Sequence, residues 1–319
     1  MTTVLGLVGH GVVGRRIEMR ADRLGVPVEV RRIDRRRAQL PECDCIVVAS
    51  PQPHVELASE AIRRGTGVVT VGDDLDDLRA MLDLHDDAVA AGVPLVVGAG
   101  MAPGLVGLLA RQLAGRMDAV DEVHVATHGT AGPACARQHH RALDGRAVSY
   151  RDGAWISRRA GSGRELCWFP EPVGAYDCYR SSGGVTLAMH AAFPEATRLS
   201  SRISANRRDR LTARLPMLSP PHVEGGVGAV RVEVRGSGGS GGDGGRITLV
   251  AGIAELVGTA TAATAAAAAG AVLRDEIPPG VWALGDRHLE TAALLTHVNR
   301  LGVRLQAFTG VPHPVSSTS

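Results

Sequence analysis

The 319-residue chain is 45% hydrophobic and 21% charged, which excludes a disordered chain and leaves room for two domains, each with its own core. A formal net charge of +2 and only 3% aromatic residues exclude a nucleic-acid binder, which needs aromatic platforms beside a basic stripe, and give no argument for a membrane surface. All 35 basic residues are arginine, so a Schiff base, a lysine general base and a lysine phosphate clamp are excluded as well.

Residues 4–8 form a short apolar run that predicts a buried parallel strand. It leads into Gly9-His10-Gly11-Val12-Val13-Gly14 and then a helix over 15–24, which is G-x-G-x-x-G in a strand–turn–helix setting. In such a loop Gly9 permits the tight turn, Gly11 lets a pyrophosphate approach the backbone, and Gly14 allows close helix packing. The first amides of the helix then face the phosphates. The motif alone is weak in a chain with 40 glycines, where it also reads as a plain tight turn. The spacing of an acid strengthens it. Residues 26–33 predict the second strand, and Asp34 closes it about 20 residues beyond Gly14, where a ribose-binding carboxylate belongs.

Asp34 favours NAD, because a carboxylate accepts bonds from the ribose hydroxyls and repels a 2′-phosphate. Arg31, Arg32, Arg35, Arg36 and Arg37 keep NADP open, since an arginine fork suits that phosphate, although some of them read as a solvated face. The expected cofactor contacts are Gly9, His10, Gly11, Val12, Val13, Gly14, Asp34 and Arg35, with Ala49, Ser50 and Pro51 at the end of the third strand.

Strands over 45–49, 67–71 and 94–97 alternate with helices over 55–64, 75–91 and 103–113. Such alternation predicts a parallel sheet covered on both faces, with ligands beyond the carboxyl ends of its strands. The loops to watch are therefore 9–14, 50–54, 72–74 and 98–104. His54 reads equally as a contact for nicotinamide or substrate and as a helix-start residue. Five cysteines with no C-x-x-C pair argue against a disulfide framework, and Cys43 and Cys45 read as small apolar packing. With no basic-then-apolar segment after Met1, the expectation is a cytoplasmic protein.

These residues resemble the saccharopine dehydrogenase family, in its bacterial branch of uncertain substrate. The resemblance rests on the Gly9–Gly14 loop and on Gly65-Thr66-Gly67-Val68-Val69-Thr70-Val71 followed by Asp73 and Asp74. It is closest over Leu84-His85-Asp86-Asp87-Ala88, Ala91-Gly92-Val93 and Val96 to Leu105, where a helix ending in A-x-x-A-G-V precedes a strand and a G-x-x-P-G loop. It is good over the first 115 or so residues and patchy beyond. Residues 49–54 also resemble sugar dehydrogenases of the glucose–fructose oxidoreductase type, but the E-K-P loop of that family is replaced here by Val71-Gly72-Asp73-Asp74. The first resemblance implies an NAD(P)-dependent dehydrogenase or reductase acting on an imine, secondary amine or carbonyl. It gives no catalytic residues to carry over.

Beyond residue 118 the rhythm changes. Strands are predicted over 120–127 and 147–151, with shorter strands or connections over 165–169, 191–196 and 197–205. Helices are expected over 134–143 and 209–215. A hairpin over 227–234 and 246–253 has its tip at 236–245, and a helix follows over 254–273. The densest polar cluster runs from Thr127 to Arg141. On a helix there, Cys135 and His139 share a face, Arg137 suits a substrate carboxylate, and His139 or His140 suits proton transfer near neutrality. The plainer reading is one solvated and one core histidine. A zinc site at Cys135 and His139 lacks third and fourth ligands, so no metal is expected. Trp155, Trp168, Tyr176 and Tyr179 read either as a pocket lining or as the core of the second domain.

The expectation is an α/β chain with a Rossmann-type parallel sheet over 1–118, completed by 275–310, and an α+β domain with a largely antiparallel sheet over 119–274. Its partners are a nicotinamide cofactor, a small carboxylate-bearing substrate and, by analogy, a second copy in a homodimer. A non-catalytic NAD(P)-binding sensor stands as the alternative function.

Overall fold

The computed structural model describes residues 2–34, 40–218, 220–238 and 245–305. The first half alternates β1 (Thr3–Val8), α1 (Val12–Glu18), β2 (Val28–Ile33), β3 (Cys45–Val48), α2 (Val55–Arg63), β4 (Gly67–Thr70), α3 (Leu75–Leu82), α4 (His85–Ala91), β5 (Pro94–Val97) and α5 (Val106–Ala114). The rest is β6 (Ala119–His128), α6 (Pro133–Arg141), β7 (Arg146–Arg151), β8 (Ala154–Arg159), β9 (Glu165–Trp168), β10 (Ala175–Arg180), α7 (Val185–Ala192), β11 (Arg198–Ser204), α8 (Arg207–Leu211), β12 (Val227–Ser237), β13 (Arg246–Leu256), α9 (Val257–Leu273), β14 (Gly280–Ala283) and α10 (Thr291–Arg300).

The first sheet is parallel throughout, in the order β14-β5-β4-β3-β1-β2. Every residue of β3 and β4 is buried, as in strands covered on both faces. The second sheet runs β13-β12-β6-β11-β10-β9, with the β7–β8 hairpin attached to β11. It is antiparallel except where β11 pairs with β6. This is the expected fold class.

Several element boundaries differ from the sequence reading, for local reasons. The helix expected over 75–91 is two: the Asp74 carboxylate caps α3 by accepting from the Asp76 and Asp77 amides, α3 stops at Leu82, and Gly92 in a left-handed conformation ends α4. The helix expected from 103 opens with a π-type turn over Met101–Leu105 before α5. Residues 191 and 192 belong to α7 rather than to a strand, and the helix near 209 starts earlier, capped by Asn206. β13 continues to Leu256, so α9 starts at Val257.

Helix α9 holds the interior. It is apolar on all sides, the pattern of a helix with no solvent face, and its alanines let neighbours approach closely. It packs on α1 and α10 and on strands β3 and β4. The chain thus returns to the first sheet after building the second one, and adds β14 and α10 there.

Candidate functional site

The strand order of the first sheet reverses at β1 and β3, so their carboxyl ends diverge into a crevice, where ligands of open α/β sheets bind. Gly9 turns the chain there at φ +106°, and a Cβ on it would lie 2.5 Å from the Ala49 carbonyl. Gly14 is packed so closely that no side chain fits. By contrast, a Cβ on Gly11 would meet nothing within 4 Å, and no side chain caps the start of α1. The loop is shaped tightly from behind and is bare in front.

The four strand-end loops flagged in the sequence all reach one cavity of about 710 Å³. Its first wall is made by Gly9–Gly11, Ala49–Pro53, Val71–Asp74 and Gly100–Ala102. The opposite wall comes from the second sheet and α6, including His128, Cys135, Arg137, Gln138, His139 and Arg141. Helix α6 starts at Pro133, whose missing N–H costs nothing in a first turn. Among the expected cofactor residues, Gly9, His10, Gly11, Val13, Ala49, Ser50 and Pro51 line this space; Val12 and Gly14 are buried behind it. Asp34 follows β2 and is exposed. Arg35, Arg36 and Arg37 lie outside the described residues. Arg31 is bound to Glu29 at 2.9 Å, and Arg32 holds Glu18 through contacts of 2.8 to 3.2 Å.

The three residues expected to do chemistry separate. Arg137 is exposed on the cavity wall one turn before Arg141, and neither makes an ion pair among the described residues. His139 lines the cavity, with Nε2 2.9 Å from the Ser204 carbonyl oxygen. The Ser204 hydroxyl lies 2.8 Å from His128 Nδ1, so one residue of β11 anchors both rings. Burial lowers the pKa of both histidines, which keeps them neutral. His140 is turned away from the cavity and is 4% exposed, with Nε2 donating to the Thr212 and Leu215 carbonyls at 3.0 and 3.2 Å.

His54 sits at the start of α2, with its amide on the Asp77 carboxylate and its ring 2.8 Å from the Ser50 carbonyl oxygen. This is the helix-start position. Trp155, Trp168 and Tyr176 are each more than two-fifths exposed, while Tyr179 is buried beneath Arg210. None of the four lines the cavity, although Tyr176 stacks on His128 at 4.1 Å.

Sequence reasoning gave no role to Asp73, Gln52 or Gln138, yet these three meet on the cavity wall. One end of the Gln138 carboxamide lies 2.6 Å from that of Gln52 and 2.5 Å from Asp73 Oδ1. Burial, and then the neighbouring Asp74 charge, push the Asp73 carboxyl up to about 6. Gly72 leaves room for this meeting, since a Cβ there would fall 2.0 Å from the Gln52 amide. The available signal was position: Gly72–Asp74 follows β4 at the ligand-binding end of the sheet. Burial also pushes the Cys135 thiol up to about 11, so it stays protonated. No group of three potential metal ligands occurs among the described residues.

A parallel sheet with a switch-point cleft, closed by a second, mostly antiparallel sheet, defines the class: this is a saccharopine dehydrogenase-like fold. The structure is similar to apo saccharopine dehydrogenase (L-Glu forming) from Saccharomyces cerevisiae, with TM-score 0.67 and 14% identity over 95% of this chain and 99% of that one. It is more distantly similar to the DAP dehydrogenase from C. glutamicum in complex with DAP (TM-score 0.46, 12% identity, covering 95% and 100%). An amine dehydrogenase from Mycobacterium smegmatis is comparably distant (TM-score 0.48, 12% identity, covering 88% and 94%). No family model matches the sequence. No helix among the described residues is long and apolar enough to cross a membrane.

Proposed function

We propose that the chain is an NAD(P)-dependent oxidoreductase that moves a hydride to or from a C=N or C=O carbon of a small, carboxylate-bearing metabolite. The observation that carries this reading is the single cavity joining the Gly9–Gly14 loop to the arginine-bearing face of α6. A dinucleotide fits the first wall: the open space before Gly11 is what a pyrophosphate needs, and a side chain in that position would fill it. When bound, the cofactor supplies the hydride. The fold of the yeast saccharopine dehydrogenase supports the same chemistry for this one.

The chain's own residues then bind and orient. Arg137 and Arg141 hold the substrate carboxylate, which a guanidinium fork meets with two parallel hydrogen bonds. His139 and His128, neutral and fixed through Ser204, shape the pocket and orient the reacting group. His140 faces away and supports α6 instead. Asp34 takes the ribose hydroxyls of NAD; the engagement of Arg31 and Arg32 with carboxylates supports NAD over NADP. Five free cysteines agree with a reducing cytoplasm, and the second sheet is the surface through which a homodimer would form.

The test is a titration of the purified protein with NADH and with NADPH, followed by fluorescence and thermal stability. Saturable binding to NADH, abolished by Gly11→Trp, supports the reading. No binding to either form removes it.

A further inference from the structure

The two glutamines between the walls of the cleft constrain each other. One end of the Gln52 carboxamide lies 2.7 and 2.8 Å from the backbone N–H groups of Asp74 and Asp73. Two donors require an acceptor, so the Gln52 oxygen sits there and its NH2 faces Gln138. That NH2 in turn requires an oxygen from Gln138. Reversing the Gln138 amide to meet this need puts its oxygen, in place of its nitrogen, at the position 2.5 Å from Asp73 Oδ1. Two oxygens at that distance need a proton between them, and of the two groups only a carboxylic acid can supply it.

We propose that Asp73 is the acid–base group of the cleft, held as the neutral acid by the Gln52–Gln138 amide pair and transferring its proton to the substrate heteroatom. The inference rests on the oxidoreductase reading and names the residue that completes it.

Four other groups on the cavity wall agree with this assignment. His139 and His128 are anchored to Ser204, Cys135 stays a thiol, and the Asp74 carboxylate is taken by the Asp76 and Asp77 amides. The charged group that acts on Asp73 is Asp74 on its own loop; Cys135, Arg137 and Arg141 on α6 line the same cavity. Burial, and after it the Asp74 charge, raise the Asp73 carboxyl, so the acid form persists up to about pH 6. On the remaining side, the Asp73 carbonyl accepts from the Gly184 amide, and Oδ2 sits 3.2 Å from where a Cβ on Gly183 would be.

In the reducing direction a nicotinamide cofactor held against the Gly9–Gly14 loop would supply a hydride to the C=N or C=O carbon. The π electrons move to nitrogen or oxygen and take the proton, which breaks the Asp73 O–H bond. The carboxylate left behind regains a proton from water. Oxidation runs the same transfers in reverse, with Asp73 as base.

Carbon-13 NMR of aspartate-labelled protein without cofactor tests the protonation directly. One carboxyl resonance should titrate near pH 6 and be missing from Asp73→Asn. Asp73→Asn is close in shape to the neutral acid, and it should lower turnover by about 10²-fold or more while NADH binding survives. The proposal is overturned if every aspartate titrates below about 5, the ordinary range. It is equally overturned if Asp73→Asn turns over as well as the wild type. A wild type that binds neither NADH nor NADPH brings down the oxidoreductase reading itself and the transfer with it, a result distinguishable from the failure of Asp73 alone.

Discussion

The carbonyl oxygen of Gly9 occupies the place where a side chain on Gly14 would begin, 1.9 Å from an ideal Cβ. The turn that follows β1 is therefore in backbone contact with helix α1. Gly14→Ala should lower unfolding free energy by about 1–3 kcal/mol, the usual cost of overpacking. Gly11→Asn is the contrasting case: asparagine is a good helix cap and space is open at Gly11, so stability should hold while NADH affinity falls at least tenfold. Urea denaturation together with NADH titration of the two variants checks both halves. Equal stability losses would contradict the geometry of the loop.

Arg137 and Arg141 are exposed, so replacing either with methionine should change stability by no more than about 0.5 kcal/mol. The double variant should raise KM for a keto-acid substrate by tenfold or more, with a smaller effect on kcat, because carboxylate binding is shared by ground and transition states. An unchanged KM would remove the carboxylate from the substrate description.

His140→Ala should cost about 1–3 kcal/mol, since it leaves the Thr212 and Leu215 carbonyls without their buried donor. The ring faces away from the cavity, so steady-state kinetics measured well below the melting temperature should match the wild type. A large loss of kcat in a folded variant would restore His140 to the chemistry.

Burial lowers the pKa of His124, His128 and His139 in the folded state. Their unfolded values lie near 6.5. Below that pH the unfolded chain takes up protons that the folded chain refuses, so stability is full above about 6.5 and falls as the pH drops. Thermal melts between pH 8 and 5 should show Tm decreasing through the lower half of that range. His139→Gln should flatten the curve, and an unaltered slope would mean that this ring does not contribute.

The first sheet was legible because its strands are short apolar runs and its loop glycines stand at fixed spacing. In the second sheet β6, β7 and the β12–β13 hairpin are legible, and β9 and β11 as short strands or connections, while β8, β10 and α7 give no separate signal. In α7 nearly every residue is apolar or small, so the sequence carries no period to distinguish helix from strand. The site was partly readable for a similar reason. Loops at strand ends declare themselves by position, but the meeting of Gln52 with Gln138, which are 86 residues apart, is a product of how α6 docks. No local pattern encodes that docking.

Helix α9 gives the protein an unusual history during synthesis. β5 ends at Val97, yet the helix that lies against β3, β4 and α1 begins only at Val257. A ribosome therefore releases five strands of the first sheet long before their covering helix exists, and part of their apolar surface waits for a segment that the whole second sheet precedes. Nascent chains stalled ahead of Val257 should be held by a chaperone that lets go of the finished protein.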